Sequence, residues 1–277
     1  MRILFHRFQL KPKVELNRLS SASFREGVFL KSEGSGGTGY TEYFPHPELG
    51  DQDINDFLET FKVQRHETQK KALYLLAPKW SRIESGKAFL NHQLFREGDP
   101  IGSGTIKYKI KNENDFLQSL PSGVKSIRLD ANGLFNQNSW KVFEQKALTS
   151  HLKLIDYIED PIADGKWQDI QIPRAVDFIN GSPNEVKIYK PYREFYPEGN
   201  KRIIFSGNMG HGLSNYQSYL ELLERGNLVD HHGLLTPDLY DNLPEIFSGN
   251  FQDGFKPELN SLREYFKQLE SLTWTPL

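Results

Sequence analysis

The chain has 277 residues, enough for two modest domains or one large α/β barrel and too many for a mini-protein. Lys and Arg total 34 against 36 Asp and Glu, so no global field draws nucleic acid or an anionic membrane to the surface. The absence of cysteine excludes disulfides, thiolate nucleophiles and Cys-ligated zinc or iron–sulfur clusters, and leaves oxygen and imidazole as the metal donors.

The opening MRILFHRFQL has neither a long apolar stretch nor a small-residue cleavage site, and reads as the first strand of a cytoplasmic protein. No apolar run approaches the ~18 residues of a membrane span. Up to about residue 45 the pattern alternates at strand spacing through Val28, Leu30, Tyr40, Tyr43 and Phe44, interrupted by the glycine-rich Ser32–Gly39, which predicts a small antiparallel sheet. That glycine run lacks the Lys-Ser/Thr of a phosphate-cradling loop and precedes an aromatic β-like run, so it reads as a hairpin turn. Ile54, Phe57, Leu58 and Phe61 then recur at helical spacing, a second helical run passes through Ala72–Ala77, and Pro78 breaks it. Residues 1–86 therefore read as an α+β unit.

Beyond it come short β-rich runs ending in polar residues: Ala88–Leu94, Thr105–Ile110, Ser126–Ala131, Leu154–Glu159, Ala175–Ile179, Val186–Lys190, Arg202–Ser206 and His231–Leu235. Eight is the number that closes a parallel barrel. Helical pattern follows the second (Glu113–Leu120), third (Ser139–Leu152) and seventh (Leu213–Glu224), while the other connections are too short or broken, so the fold expected over 87–254 is a modified (β/α)8-type barrel with several reduced outer helices. The tail 255–277 carries Leu259, Leu262, Phe266 and Leu269 on one helical face and is expected to return to the first domain.

In Lys107-Tyr108-Lys109-Ile110-Lys111 period-two geometry puts the three lysines on one face. Such a row is ordinarily solvated, but in a closed barrel one face points inward and interior ammonium groups demand anions. The next three strands end in Asp130, Glu159 and Asp177, which would converge at the C-terminal mouth where such barrels keep their active sites. Three carboxylates in one place repel unless a hard divalent cation neutralises them, and open octahedral oxygen geometry suits Mg2+, with Mn2+ as the alternative. For the third acid, Asp169 and Glu185 remain alternatives. The sixth strand ends in Lys190, stopped by Pro191, so Lys109 and Lys190 would face each other across the site. The eight histidines form no His-x-x-x-His pair, which argues against a zinc hydrolase.

At these residues the chain resembles the enolase superfamily, and within it the muconate-lactonising-enzyme subgroup, whose pattern is Lys-x-Lys, Asp, Glu, Asp and Lys on successive strands. The resemblance extends to Arg25-Glu26-Gly27-Val28 and Gly37-Thr38-Gly39-Tyr40-Thr41-Glu42 in an N-terminal capping domain, and to the Leu-Asp-Ala-Asn-Gly and Ile-Glu-Asp-Pro strand ends. Arg128 before Asp130, and His232-Gly233-Leu234-Leu235-Thr236 on the eighth strand, are most similar to the o-succinylbenzoate synthases, the dehydratases of menaquinone biosynthesis. Two departures stand out: Glu159 and Asp177 are only 18 residues apart, and Tyr192-Arg193-Glu194 replaces the usual glycine-rich run after the sixth-strand lysine.

The resemblance implies a small dicarboxylate substrate and Mg2+ held by Asp130, Glu159 and Asp177. It makes Lys109 the base and then the acid, Lys107 the neighbouring charge that lowers its pKa, and Lys190 the cation on the opposite face. Asn132 and Arg128 would orient the ligands, and Arg25 and the Ser206-Gly207-Asn208 segment would bind substrate. The same site would serve an N-acylamino acid racemase or dipeptide epimerase, and a degenerate barrel that only binds a ligand or partner is the alternative outside enzymology.

Overall fold

A computed structural model describes residues 1–13, 24–63, 66–84, 86–96, 99–100, 104–113, 122–150, 152–163, 171–177, 185–236, 239–241 and 243–277. The first strands, β1 (Arg2–Leu10), β2 (Arg25–Gly34) and β3 (Gly37–Tyr43), form an antiparallel meander, with the β2–β3 hairpin turning at Ser35-Gly36. Alternation divides β2 between two cores. Val28 and Leu30 face α1 (Ile54–Phe61), whose Ile54, Phe57, Leu58 and Phe61 are all buried, and α2 (Glu67–Leu75) closes the same layer. Phe29, with Tyr40 of β3, turns the other way into the largest core of the molecule. The α1 helix begins where the Asp53 carboxylate accepts from the Asp56 amide at 2.9 Å, and Pro78–Ser81 is a single 3-10 turn after α2.

The barrel starts with β4 (Leu90–Asn91) and β5 (Gln93–Phe95), followed by β6 (Thr105–Lys109), β7 (Ser126–Asp130), α3 (Gln137–Ser150), β8 (Ile155–Glu159), β9 (Arg174–Val176), β10 (Val186–Tyr189), β11 (Arg202–Phe205), α4 (Gly212–Arg225) and β12 (His231–His232). Strands β5 to β11 form one parallel sheet in sequence order. The expected first strand is split at His92: β5 joins β6, whereas β4 pairs in parallel with β12, and the His92 amide donates to His232 O at 2.8 Å. The single Ser206–Gly233 bridge ties β12 to the end of β11, so the ends of the sheet meet and the barrel closes as the strand pattern predicts. A glycine is needed there, because a Cβ on Gly233 would stand 2.7 Å from the His92 ring.

Among the described residues, α3 and α4 are the helices that follow barrel strands, both close to their predicted ranges. The helix expected over Glu113–Leu120 falls, from 114 onward, outside the described residues, as do the last two residues of the expected Ala175–Ile179 strand. After a hairpin of β13 (Phe247–Asn250) and β14 (Gly254–Pro257), α5 (Leu259–Ser271) buries Leu262, Tyr265, Phe266 and Leu269 against Phe29 and Tyr40, and β15 (Thr275–Pro276) pairs with β1. No helix among the described residues is long and apolar enough to cross a membrane.

Outward-facing Ile127, Leu129, Ile158 and Val176 pack on Trp140, Phe143 and Ala147 of α3. The inward-facing side chains form a thin apolar layer of Tyr157, Ala175, Ile188 and Ile204. Beneath it lies a charged floor. A β-bulge between Ile127 and Arg128 leaves Asp156 out of register, so Asp156 and Tyr157 both turn inward. Arg202 forks onto Asp156 (2.6 and 3.0 Å) and onto Asp230 (2.8 and 2.9 Å), while Arg128, 1% exposed, reaches Asp156 at 3.0 Å and Asp230 at 3.1 Å and also donates to His231 O. The Tyr157 ring lies 5.0 Å from the Arg128 guanidinium. Burial alone would raise the carboxyl pKa of Asp156 and Asp230, but Arg202 and Arg128 override it and hold both below the ordinary range.

Cap and barrel meet at Glu42 of β3, whose buried carboxylate accepts from the His211 amide at the start of α4 at 2.9 Å. Burial pushes its pKa up to about 8, against the lowering effect of hydrogen bonds from Ser214 and His211.

Three variants test the contribution of these charges to stability. Arg128→Ala leaves Arg202 alone to hold the part-buried Asp156 and Asp230, and is expected to cost about 2 kcal/mol in urea unfolding. Depressed folded pKa values contribute stability that is present above the unfolded value of about 3.9 and lost as pH falls through the folded values, so Asp156→Asn should flatten that acid limb. For Glu42 the sign is opposite: the folded state holds a proton that the unfolded state releases, so stability falls as pH rises from about 4 toward 8. Glu42→Gln should therefore raise Tm at pH 8 relative to the unmodified chain and bring less gain at pH 5; an equal shift at both would exclude Glu42 as the source.

Candidate active site

The alternation that faces Ile127 and Leu129 outward turns the residues between and after them inward. In the register of the sheet Lys109, Asp130 and Glu159 are direct neighbours on β6, β7 and β8. Asp177 follows β9 and Lys190 follows β10, so all five sit at the C-terminal rim. Lys107, one pleat below, donates to Glu159 Oε2 at 2.6 Å and lies 3.0 Å from Asp130 Oδ2. Lys190 Nζ contacts Asp177 Oδ2 at 2.6 Å. Lys111 lies beyond the strand and is exposed.

Asp130, Glu159 and Asp177 meet at the rim but do not close on a single point in this metal-free arrangement. Among the described residues no three carboxylate or imidazole groups form a metal-sized cluster. The three acids divide into a pair held by Lys107 and a single one held by Lys190, because each carboxylate lowers its energy by closing on the nearest ammonium. They still feel one another: burial, then the charges of Asp130 and Asp177, raise the Glu159 pKa to about 7 despite Lys107. Of the alternatives for the third acid, Glu185 pairs with Arg174 at 2.9 Å before β10 begins, at the opposite end of that strand from Lys190, and Asp169 lies outside the described residues.

The donor set nevertheless fits a hard divalent cation. It is all oxygen, it comes from successive strands, and Glu159 Oε1 is buried with no hydrogen-bond partner. Asn132 donates to Asp130 Oδ1 at 2.6 Å. It does so from a left-handed conformation (φ 48°), as does Asp160 (φ 39°), which accepts from the Asp177 amide at 3.2 Å. Asn and Asp tolerate this region, and such conformations concentrate at functional sites.

The lysines differ in state. Burial would lower Lys107, but Asp130 and Glu159 override it and hold it well above the usual lysine range. Lys109 is lowered, first by burial and then by the charges of Lys107 and Lys190, against the opposing pull of Asp130. A buried amine whose ammonium form is disfavoured, beside one permanently charged, is the arrangement a general base requires.

Three expectations for other residues are revised. Arg128 braces the floor of the barrel and contacts none of the three acids, because two residues along a strand separate floor from rim. The amides of Ser206 and Gly207 are spent on Tyr189 O and Gly233 O in closing the barrel, and Asn208 donates its side-chain amide to Phe44 O, so the segment offers no nest built from these groups. Arg25 is buried against Glu48 (2.9 Å), Pro45 O and His46, and folds the 45–48 turn of the cap. His46 in turn contacts Asn208 O at 3.1 Å, linking that turn to the loop after β11.

Some supporting residues escape sequence reasoning. Lys187 donates to Asp177 O at 3.0 Å and pairs with Glu194 at 3.1 Å, which ties the ends of β9 and β10 together. Glu144 of α3 accepts from the amides of Gln171 and Ile172 at 2.6 and 3.1 Å and anchors the approach to β9. A carboxylate on the apolar face of Trp140, Phe143 and Ala147 was the visible signal for Glu144.

Residues 3–77 match the family model described as the o-succinylbenzoate synthase N-terminal domain. An o-succinylbenzoate synthase from Bdellovibrio bacteriovorus is 26% identical over 339 aligned positions, covering 100% of this chain and 99% of that protein. The o-succinylbenzoate synthase from Thermosynechococcus elongatus, solved with Mg in its active site, superposes with a TM-score of 0.68 at 16% identity over 98% of this chain and 100% of that one. The N-succinyl Arg/Lys racemase from Bacillus cereus gives 0.65 at 11% identity, with both chains covered in full. With its antiparallel N-terminal sheet, parallel barrel and inward Lys-x-Lys, Asp, Glu, Asp and Lys, the chain has the fold of the enolase superfamily and is similar along its whole length to an o-succinylbenzoate synthase.

Proposed function

We propose that the chain is a Mg2+-dependent dehydratase that removes water from 2-succinyl-6-hydroxy-2,4-cyclohexadiene-1-carboxylate to give 2-succinylbenzoate, a cytoplasmic step of menaquinone biosynthesis. The observation that carries this reading is the placement of Lys109 beside the Asp130–Glu159 pair and of Lys190, ion-paired with Asp177, on the far side of it. The whole-chain similarity to an o-succinylbenzoate synthase supports the choice of substrate.

Asp130, Glu159 and Asp177 would hold the metal, with Asn132 fixing Asp130. When bound, Mg2+ supplies Lewis-acid stabilisation of the negative charge that develops on the substrate carboxylate, worth several kcal/mol. Lys109 Nζ takes the proton α to that carboxylate, and its lowered pKa keeps the amine available for the task. The same nitrogen, once protonated, delivers its proton to the departing hydroxyl on the same face, so the elimination is syn. Lys107 stays charged between Asp130 and Glu159 and disfavours a second ammonium beside it. Lys190, ion-paired with Asp177, offers its cationic side chain to the opposite face of the forming ring.

A second reading, racemisation of N-acylated amino acids, is supported by the two lysines on opposite walls and by the racemase with the same fold. Incubation with N-succinyl amino acids in D2O separates the two: α-deuterium without dehydration of the cyclohexadiene favours the racemase.

Chelation should abolish dehydration and added Mg2+ should restore it. Lys109→Ala should lower kcat by at least about 100-fold, and Asn132→Ala should weaken Mg2+ binding by about tenfold in calorimetry. Dehydration that survives both chelation and Lys109→Ala would falsify the assignment.

A further inference from the structure

Lys190 stands one residue past the end of β10, where the sheet ladder has stopped, yet the residues on either side of it are held by the capping domain. On one side, Lys71 of α2 is 1% exposed and donates to Glu221 of α4 at 2.9 Å and to the Tyr189 hydroxyl at 3.3 Å, while that hydroxyl donates to the other Glu221 oxygen. On the other side, the Phe44 amide at the end of β3 donates to the Tyr192 hydroxyl at 2.7 Å, and the Tyr192 and Tyr43 rings stack. Arg193 pairs with Asp51, whose second oxygen accepts from the His46 amide at 2.7 Å. The amides of Arg193 and Glu194 donate to Lys190 O at 2.8 and 3.3 Å, so whatever holds the turn also holds the Lys190 backbone. These contacts lie at the segment where the chain departs from the glycine-rich pattern expected after the sixth-strand lysine.

We propose that the capping domain sets the position of Lys190 through these contacts, with Asp51 and Arg193 as positioning residues for it; this rests on the reading above that Lys190 works at the site. Lys109 needs no such support, because it lies within β6 and is fixed by the pairing of β6 with β5 and β7. One wall of the site is therefore rigid by sheet geometry and the other by domain docking. Misplacement of a reacting group by about 1 Å costs on the order of 100-fold in rate, so loss of the latch should be felt at Lys190 first.

The test is Asp51→Ala, read in two ways on the full chain. In metal-free protein, the Arg193 and Glu194 amides should exchange with deuterium at least about tenfold faster while those of α3 stay unchanged, and the charge-swapped Asp51→Arg, Arg193→Asp variant should recover slow exchange. In the dehydration assay, Asp51→Ala should lower kcat by at least about tenfold with KM within about twofold, and the loss should shrink to less than about twofold on a Lys190→Ala background. Unchanged exchange at 193 and 194 overturns the proposal, as does an equal loss of kcat on both backgrounds. Should the unmodified chain fail to dehydrate the substrate, the functional reading falls alone and the exchange result still decides whether the cap holds this turn.

Discussion

Ionised groups inside a barrel are tolerable only when every charge has a partner, and that constraint organises this molecule from floor to rim. The interior holds one thin apolar layer, Tyr157, Ala175, Ile188 and Ile204, with ionic groups on both sides of it. Below, two arginines and two aspartates draw on β7, β8, β11 and the residue before β12, which is where a sheet closed by one bridge most needs cross-strand bonds. Above, lysines and carboxylates balance at the rim. The same requirement shapes floor and rim differently: two arginines hold Asp156 and Asp230 below the ordinary carboxylate range, whereas the rim crowds amines and acids so that Glu159 and Lys109 are displaced in opposite directions.

The outer shell of helices is sparse among the described residues, and other contacts do part of its work. Glu144 anchors the chain before β9 from α3, Lys187 joins β9 to β10, and the capping domain packs Phe29 and Tyr40 on α4 and α5. The N-terminal unit is thus a structural wall of the barrel. Its buried Glu42 at the start of α4 shows the cost of that arrangement, since a carboxylate there is disfavoured in its charged form.

Periodicity made most of this legible. Alternation in Ser126–Ala131 and Leu154–Glu159 fixed which residues face inward, and the spacing of Ile54, Phe57, Leu58 and Phe61 marked α1. What alternation cannot reveal is a break in its own rhythm. The bulge at Asp156 and the split at His92 both depend on long-range partners, Arg202 in one case and His232 in the other. Strand-end position also identifies the acids without showing how they share cations, so the division of Asp130 and Glu159 from Asp177 emerges only once Lys107 and Lys190 have been placed. The backbone amides of Ser206 and Gly207 looked available because the expected strand ends at Ser206 and nothing in the local sequence shows that Gly233 O takes the next amide.

The bulge at Asp156 separates two tasks that a regular strand would have fused. With one extra residue in β8, Asp156 serves the floor while Tyr157 and Glu159 keep their phase with Arg128 and Asp130. Residues on the rim side can change without altering which side chains reach the floor, and the floor can be rebuilt without rotating Glu159 out of the barrel. A lineage could therefore exchange its chemistry while inheriting its closure, and a single strand would carry the record of both histories.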